Sequence, residues 1–350
     1  MKKVRLGKTG IMVTKTSMGC LPLQRCERSY AVRLMRAAYE SGINFFDTAR
    51  AYSDSESKTG EALRGVRDRV VLATKSQARD KKGLLQHIES SLKALQTDYI
   101  DIFQLHNVPG LPDPDDPDGA YAGALEARRR GLIGHIGVTT HRISVAEECV
   151  DSGLFETVQF PFCYISSERD LALAGRCREA DIGFIAMKGL AGGLLTDARA
   201  CHAFMERYGN VVPIWGIQRF EELEQWIALA SGDGAGAVPD DAVWEHIARE
   251  RRELSGAFCR SCGYCMPCPA GIEIRNCARM NMLLRRSPWE QYFTPEWRAR
   301  MEKINECRRC GACRSKCPYE LDPPELLQYM LKDYNEFYEA HKHLLPGRPA

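Results

Sequence analysis

Val70-Val71-Leu72-Ala73-Thr74-Lys75 is an unbroken β-rich run that ends on a lysine, and the helical pattern Gly83–Leu95 follows it. A run with no polar alternation reads as a parallel strand buried on both faces. Gly183-Phe184-Ile185-Ala186 has the same character. Outward from these two, strands are predicted at Thr16–Cys20, Asn44–Asp47, Val70–Lys75, Ile100–His106, His135–Thr139, Thr157–Phe162, Gly183–Lys188 and Asn210–Gly216. Helical spacing falls at Tyr30–Ser41, Glu56–Arg64, Gly83–Leu95, Gly119–Arg130, Ser144–Asp151, Glu168–Ala180, Asp197–Tyr208 and Phe220–Leu229. Gly42, Gly131, Gly153 and Gly209 stand where helix C-caps belong. Strand-to-strand intervals of about 25–30 residues are those of a βα unit. Eight such units make the fold class α/β, a closed (β/α)8 TIM barrel. No Gly-x-Gly-x-x-Gly follows the first strand, which counts against a doubly wound dinucleotide fold. The segment before Thr16, with turn residues Lys8-Thr9-Gly10, is a candidate hairpin closing the barrel floor.

The chain has 350 residues, with 48 basic against 46 acidic side chains and a net charge of +2. That balance excludes a nucleic-acid binder built on a global basic field. No apolar run reaches the roughly 18 residues of a membrane span, and Met1–Gly10 lacks the apolar stretch of a secretory signal. A cytoplasmic protein is expected, with neither nucleic acid nor membrane as partner. The domain reading is a barrel over 1–231, a linker over 232–240 rich in Gly and Ala, and a second, mainly helical domain over 241–350.

Chemistry in such barrels sits at the C-terminal ends of the strands. Those ends carry Asp47, Lys75 and His106, with Tyr52 in the loop just past Asp47. Each alone reads as a loop or capping group, but three consecutive strands place all of them on one rim. A tyrosine with a pKa near 10 is a poor proton donor at neutral pH. A neighbouring ammonium draws that value down, and a carboxylate keeps the ammonium charged and oriented. An imidazole can orient a carbonyl oxygen. Together the four suit polarising a C=O bond and protonating the alkoxide formed on reduction.

Leu6-Gly7-Lys8-Thr9-Gly10, Phe46-Asp47-Thr48-Ala49-x-x-Tyr52, Ala73-Thr74-Lys75 and Asp101-x-x-Gln104-Leu105-His106 resemble the aldo-keto reductase family over roughly the first two-thirds of the chain. The resemblance implies Tyr52 as general acid/base, Lys75 and Asp47 as its tuners, and His106 as the group that orients the carbonyl. It also implies an NAD(P)H site, NADP among the candidates. Thr139 and Thr140 stand where the family has a Ser-Asn pair, and Gln159 where it has a Gln against the carboxamide. Met187 and Lys188 would lie under the nicotinamide, and Leu190, Gly192 and Gly193 would wrap the pyrophosphate. Gly216 to Arg219 would offer backbone N–H groups to a phosphate. Two departures stand out: Thr140 has no amide, and Trp226 falls near the place of an Asn.

Fifteen cysteines are unevenly spread, six over the first 258 residues and nine in the last 92. Crowded thiols in a chain without a secretory signal point to a metal centre rather than disulfides. Cys259-x-x-Cys262-x-x-Cys265-x-x-Cys268-Pro269 precedes Cys307-x-x-Cys310-x-x-Cys313-x-x-x-Cys317-Pro318. The second run matches the ferredoxin pattern for a 4Fe–4S cluster, and the first is one residue short in its last gap. Thiols at every third position wrap three corners of a cube, and the Cys-Pro turns away to a distant fourth. Zinc competes, but it favours paired Cys-x-x-Cys knuckles over two runs of four. By analogy with two-cluster ferredoxins, Cys268 would join the second cluster and Cys317 the first. Cys277 reads as a core thiol. Ile274–Arg285, Thr294–Lys303 and Pro324–His341 read as helices, with Met280, Met282 and Leu283 as a packing stripe.

The expected function is an oxidoreductase of aldo-keto reductase type. It would reduce a carbonyl or related small molecule with a proton from Tyr52, coupled to two 4Fe–4S clusters as an electron relay. A ferredoxin or other redox carrier is the candidate partner. Two alternatives stand beside it: an NAD(P)H carbonyl reductase with structural or sensory clusters, and a non-enzymatic redox-sensing or partner-binding subunit.

Overall fold

A computed structural model describes residues 1–232, 240–254 and 258–344. Strands β1 (Lys3–Arg5) and β2 (Met12–Thr14) form an antiparallel hairpin. Then come β3 (Ser17–Gly19), β4 (Phe45–Asp47), β5 (Val71–Ser76), β6 (Ile100–Leu105), β7 (Ile133–Thr139), β8 (Thr157–Pro161), β9 (Gly183–Met187) and β10 (Val211–Gly216). These eight close in chain order into an all-parallel barrel, with β10 pairing β3. The closed α/β barrel is the expected fold.

The hairpin forms the floor. Val4, Leu6 and Val13 join Phe45, Val71, Ile102, Ile185 and Val212 in one buried cluster. Its turn needs glycine at Gly7, where φ is +50° and a Cβ would lie 2.4 Å from the Asp181 carbonyl oxygen.

Around the barrel run α1 (Arg28–Glu40), α2 (Ser55–Ala62), α3 (Lys81–Leu95), α4 (Ala120–Arg129), α5 (Ile143–Asp151), α6 (Glu168–Glu179), α7 (Ala198–Glu206) and α8 (Phe220–Ser231). Helix α3 shows why. Leu84, Ile88, Leu92 and Leu95 recur on one face and are buried. Asp80 caps its start by accepting from the Gly83 amide at 2.8 Å.

The chain divides into two compact units, Met1–Leu190 with Leu195–Glu253, and Ala191–Leu194 with the residues from Leu254 onward. Helix α9 (Asp241–Glu253) therefore lies in the barrel unit, whereas its sequence position suggests the second domain. The reason is side-chain chemistry. Val243, Ile247 and Glu250 are buried, the Tyr164 hydroxyl donates to the Glu250 carboxylate, and Arg251 pairs with Glu168 at 2.9 Å. The expected linker lies mostly at 233–239, outside the described residues.

The second unit is helical: α10 (Ile274–Cys277), α11 (Met280–Arg286), α12 (Pro295–Glu302), α13 (Ala312–Ser315) and α14 (Pro323–His341). The helix expected over Ile274–Arg285 is broken at Arg279, which leaves helical geometry at φ −143° and buries its guanidinium. Met280, Leu283 and Leu284 face the core, while Met282 is half-buried. Cys277 is fully buried, its thiol directed at the Arg300 carbonyl, as a packing thiol should be. Among the described residues no helix is long and apolar enough to cross a membrane.

Candidate active site and thiol hollows

Asp47 ends β4, Lys75 is the penultimate residue of β5, and His106 follows β6. The loop after Asp47 is laid across the end of β5 by its own backbone: Thr48 N–H bonds the Ala73 carbonyl at 2.9 Å and Arg50 N–H that of Lys75 at 3.0 Å. This path carries Tyr52 to the mouth. The Lys75 ammonium donates to Asp47 Oδ1 at 2.5 Å and to the Thr48 carbonyl at 2.8 Å, with both ionisable groups buried. Lys75 Nζ stands 5.3 Å from the Tyr52 ring centroid, and the His106 ring meets that ring edge-on at 6.0 Å. The structure brings the four predicted residues together.

Their electrostatics differ from expectation in one respect. Burial and the Asp47 carboxylate push the Tyr52 phenol up, because Asp47 already neutralises the ammonium that was to draw it down. The phenol thus keeps its proton at neutral pH, and no described group hydrogen-bonds its hydroxyl. Burial, with the charges of Lys75 and Arg79, pushes His106 down to about 3. It is a neutral imidazole whose buried Nδ1 has no partner among the described residues.

Two neighbours brace these groups: Gln104, which the sequence offers only within the motif that ends at His106, and Arg79, which it does not mark. Gln104 is fully buried and donates both to Asp47 Oδ2 at 3.2 Å and to Gln159 Oε1 at 2.8 Å. Its signal is an amide inside the apolar strand Ile102-Phe103-Gln104-Leu105, on the same face as Ile102. Arg79 donates to the His106 and Asn107 carbonyls, each at 2.8 Å, and braces the strand end.

The residues expected around a nicotinamide dinucleotide are placed differently. Thr139 Oγ1 accepts from the Asn107 amide at 2.7 Å, and the Thr140 hydroxyl is engaged by the Val108 carbonyl and the Arg142 amide. Gln159 is drawn inward to Gln104. Lys188 and Leu190 follow β9, with Lys188 at φ +60°. Gly192 lies in the second unit, where its carbonyl accepts from Arg279 at 3.0 Å. After Gly216, the amides of Gln218 and Arg219 are both bonded to the Glu222 carboxylate, at 2.9 and 3.2 Å, and the Arg219 side chain pairs with the same carboxylate. An internal anion thus sits where a phosphate was expected. Trp226 is buried and stacks on Trp215 at 3.8 Å. At Glu222 and Trp226 the chain departs from the NAD(P)H site that the resemblance implies.

In the second unit two hollows open between the helices. One is lined by Cys259, Cys262, Cys265 and Cys317, the other by Cys268, Cys307, Cys310 and Cys313, with Cys265 shared at its edge. Ile274, Leu326 and Leu327 supply apolar wall. Each run thus lends its Cys-Pro cysteine to the other hollow. Four sulfurs on a small apolar hollow are the donor set of a 4Fe–4S cluster, and the residues fit that group. Burial pushes Cys259 up to about 11 and Cys265 up to about 12. Iron must therefore displace their protons on loading.

A closed barrel with Asp47, Tyr52, Lys75 and His106 gathered at its mouth, in a chain that also holds a thiol-lined helical unit, is the architecture of an iron–sulfur barrel oxidoreductase. The chain belongs to the aldo/keto reductase family, whose sequence profile matches residues 12–207, more than half its length. It carries a 4Fe-4S dicluster domain, matched over residues 258–322, which implies two iron–sulfur clusters. It is 28% identical over 211 residues to the uncharacterized oxidoreductase YqkF of Bacillus subtilis, covering 56% of this chain and 67% of that protein. It is 30% identical over 222 residues to the oxidoreductase YrpG of the same organism, covering 56% and 68%. It thus spans about two thirds of each relative. Among solved structures it resembles aldo-keto reductase AKR11C1 from Bacillus halodurans in its holo form, with a TM-score of 0.61 and 23% identity over 72% of this chain and 96% of that one. An aldo-keto reductase from Klebsiella pneumoniae in complex with NADPH gives 0.61 and 24% over 71% and 95%.

Proposed function

We propose that the chain reduces the carbonyl group of a small molecule, with Tyr52 as proton donor and electrons drawn from two 4Fe–4S clusters. Cys259, Cys262, Cys265 and Cys317 would hold one cluster, and Cys268, Cys307, Cys310 and Cys313 the other. When bound, such clusters supply and accept single electrons. The substrate takes up two electrons and two protons to become an alcohol. His106, a neutral imidazole, donates to the carbonyl oxygen and fixes its approach. The Tyr52 phenol, protonated and unbonded, gives its proton to that oxygen, and water supplies the proton that reaches carbon. Lys75 and Asp47 hold each other in place beside the phenol, and water returns a proton to Tyr52 after each turnover. Gln104 and Arg79 keep Asp47 and His106 in place.

The observation that carries this reading is the intact proton-donating group in a mouth whose dinucleotide positions are taken by Glu222 and Trp226. NADPH, which the Klebsiella relative binds, is the competing reductant. The test is anaerobic turnover of an aldehyde and ketone panel by iron-loaded protein with chemically reduced clusters, read as alcohol formed. Alcohol formation that needs the clusters and falls in Tyr52→Phe supports the proposal. Equal turnover of NAD(P)H by loaded and cluster-free chain rejects it.

A further inference from the structure

We infer that the exposed face around the second cysteine run is the docking site of a small acidic one-electron carrier protein, and that electrons enter through Cys310. This rests on the relay reading above. Cys310 is the one exposed thiol among the eight in the two runs; the other seven are half-buried. Within Cys307–Cys317 stand Arg308, Arg309, Arg314 and Lys316, all exposed, and no acidic residue. Arg314 pairs with Asp322 at 2.6 Å, while Arg308, Arg309 and Lys316 form no ion pair among the described residues. The contrast with the first run is sharp. Its one cation, Arg260, lies between the Phe258 and Tyr319 rings, 4.7 and 4.9 Å from their centroids.

In a chain of net charge +2, three uncompensated cations beside a surface thiol are a local field rather than a global one. Such a field gathers a negatively charged partner and orients it on encounter. A one-electron carrier gains from the place as well, because Cys310 gives the least-covered route to the iron. In the step the reduced carrier loses one electron and the cluster held through Cys310 gains it, with no bond made or broken. Polyanionic nucleic acid would also feel this field, but it has no use for the thiol.

The test uses iron-loaded full-length protein and a small acidic ferredoxin, chemically pre-reduced, mixed in a stopped-flow cell. Cluster reduction is read by absorbance, and complex formation by calorimetry. The second-order rate should fall about tenfold or more between low and physiological salt. It should also fall about tenfold at low salt in Arg308→Glu/Arg309→Glu, and in Lys316→Glu to a lesser degree. Iron content and the photoreduced EPR signal establish that the variants keep their clusters. A rate indifferent to salt and to both variants, with clusters intact, overturns the inference. So does duplex DNA displacing the carrier or binding more tightly. Because the readout is cluster reduction, a chain that accepts electrons but reduces no carbonyl fails the parent reading alone. A chain that loads zinc and no iron fails both.

Discussion

Removing the Lys75 ammonium tests the physical centre of the site. In Lys75→Met, Asp47 stays 2% exposed with its charge unanswered, and the Thr48 carbonyl loses its donor. Breaking a buried pair from one side costs about 3–5 kcal/mol. A barrel of this size shifts by about 2–4 °C per kcal/mol, so its melting transition should drop by about 6–20 °C at pH 7. The sign with pH follows from Asp47. Burial already pushes its carboxyl up, with Lys75 and the two glutamine amides pulling it back. Without Lys75 the folded pKa lies further above the unfolded one. The folded state then holds the proton more tightly, so the variant regains stability as pH falls and loses it as pH rises above the usual carboxylate range. Asp47→Asn/Lys75→Met should recover much of the loss at pH 7. Calorimetric melts at several pH values provide the assay. A single variant melting within 2 °C of the parent, or a double variant no better than the single, would refute a charge-coupled pair.

Tyr52→Phe should lower alcohol formation about 10²–10⁴-fold with little change in melting, since its hydroxyl bonds no described group. His106 faces Lys75, Arg79 and the Tyr52 ring, and its folded pKa of about 3 lies below the unfolded value. It therefore costs stability as pH falls below about 6.5, by about 1.4 kcal/mol per unit, and His106→Gln should remove about 3 kcal/mol of that loss at pH 4. Iron-loaded protein should carry about eight irons per chain. Cys317→Ala should lose the EPR signal of the first-run cluster and keep the other, and Cys268→Ala should do the reverse. Both signals lost together in either variant would contradict two separate sets. Titration calorimetry of NADPH against the parent chain should show no saturable binding, and a micromolar dissociation constant would disprove the misfit at Glu222 and Trp226.

Much was legible in the sequence because the determining signals are local. Continuous apolar runs ending at Asp47, Lys75 and before His106 announce buried parallel strands, and barrel closure puts every strand end on one rim. The cysteine spacing names its chemistry without any tertiary help. What the chain could not announce are contacts between residues far apart in sequence. Gln104 reads as one polar residue in a strand until closure sets it between Asp47 and Gln159. Helix α9 reads as the start of a new domain until Tyr164 and Glu250 meet across 86 residues. The phenol's protonation depends on tertiary contacts for the same reason, since the ammonium's effect depends on how closely Asp47 approaches it.

Local spacing therefore determined the barrel, the group of Asp47, Tyr52, Lys75 and His106, and the two cysteine runs, because each is written in periodicity or in a motif a few residues long. Only the tertiary structure decided that Glu222 bonds the amides expected to meet a phosphate, while the hollows are lined with Cys268 and Cys317 exchanged as the analogy with two-cluster ferredoxins implies. It also decided that His106 is held neutral. Those outcomes depend on burial and on distances between separate segments, which spacing along a chain does not encode.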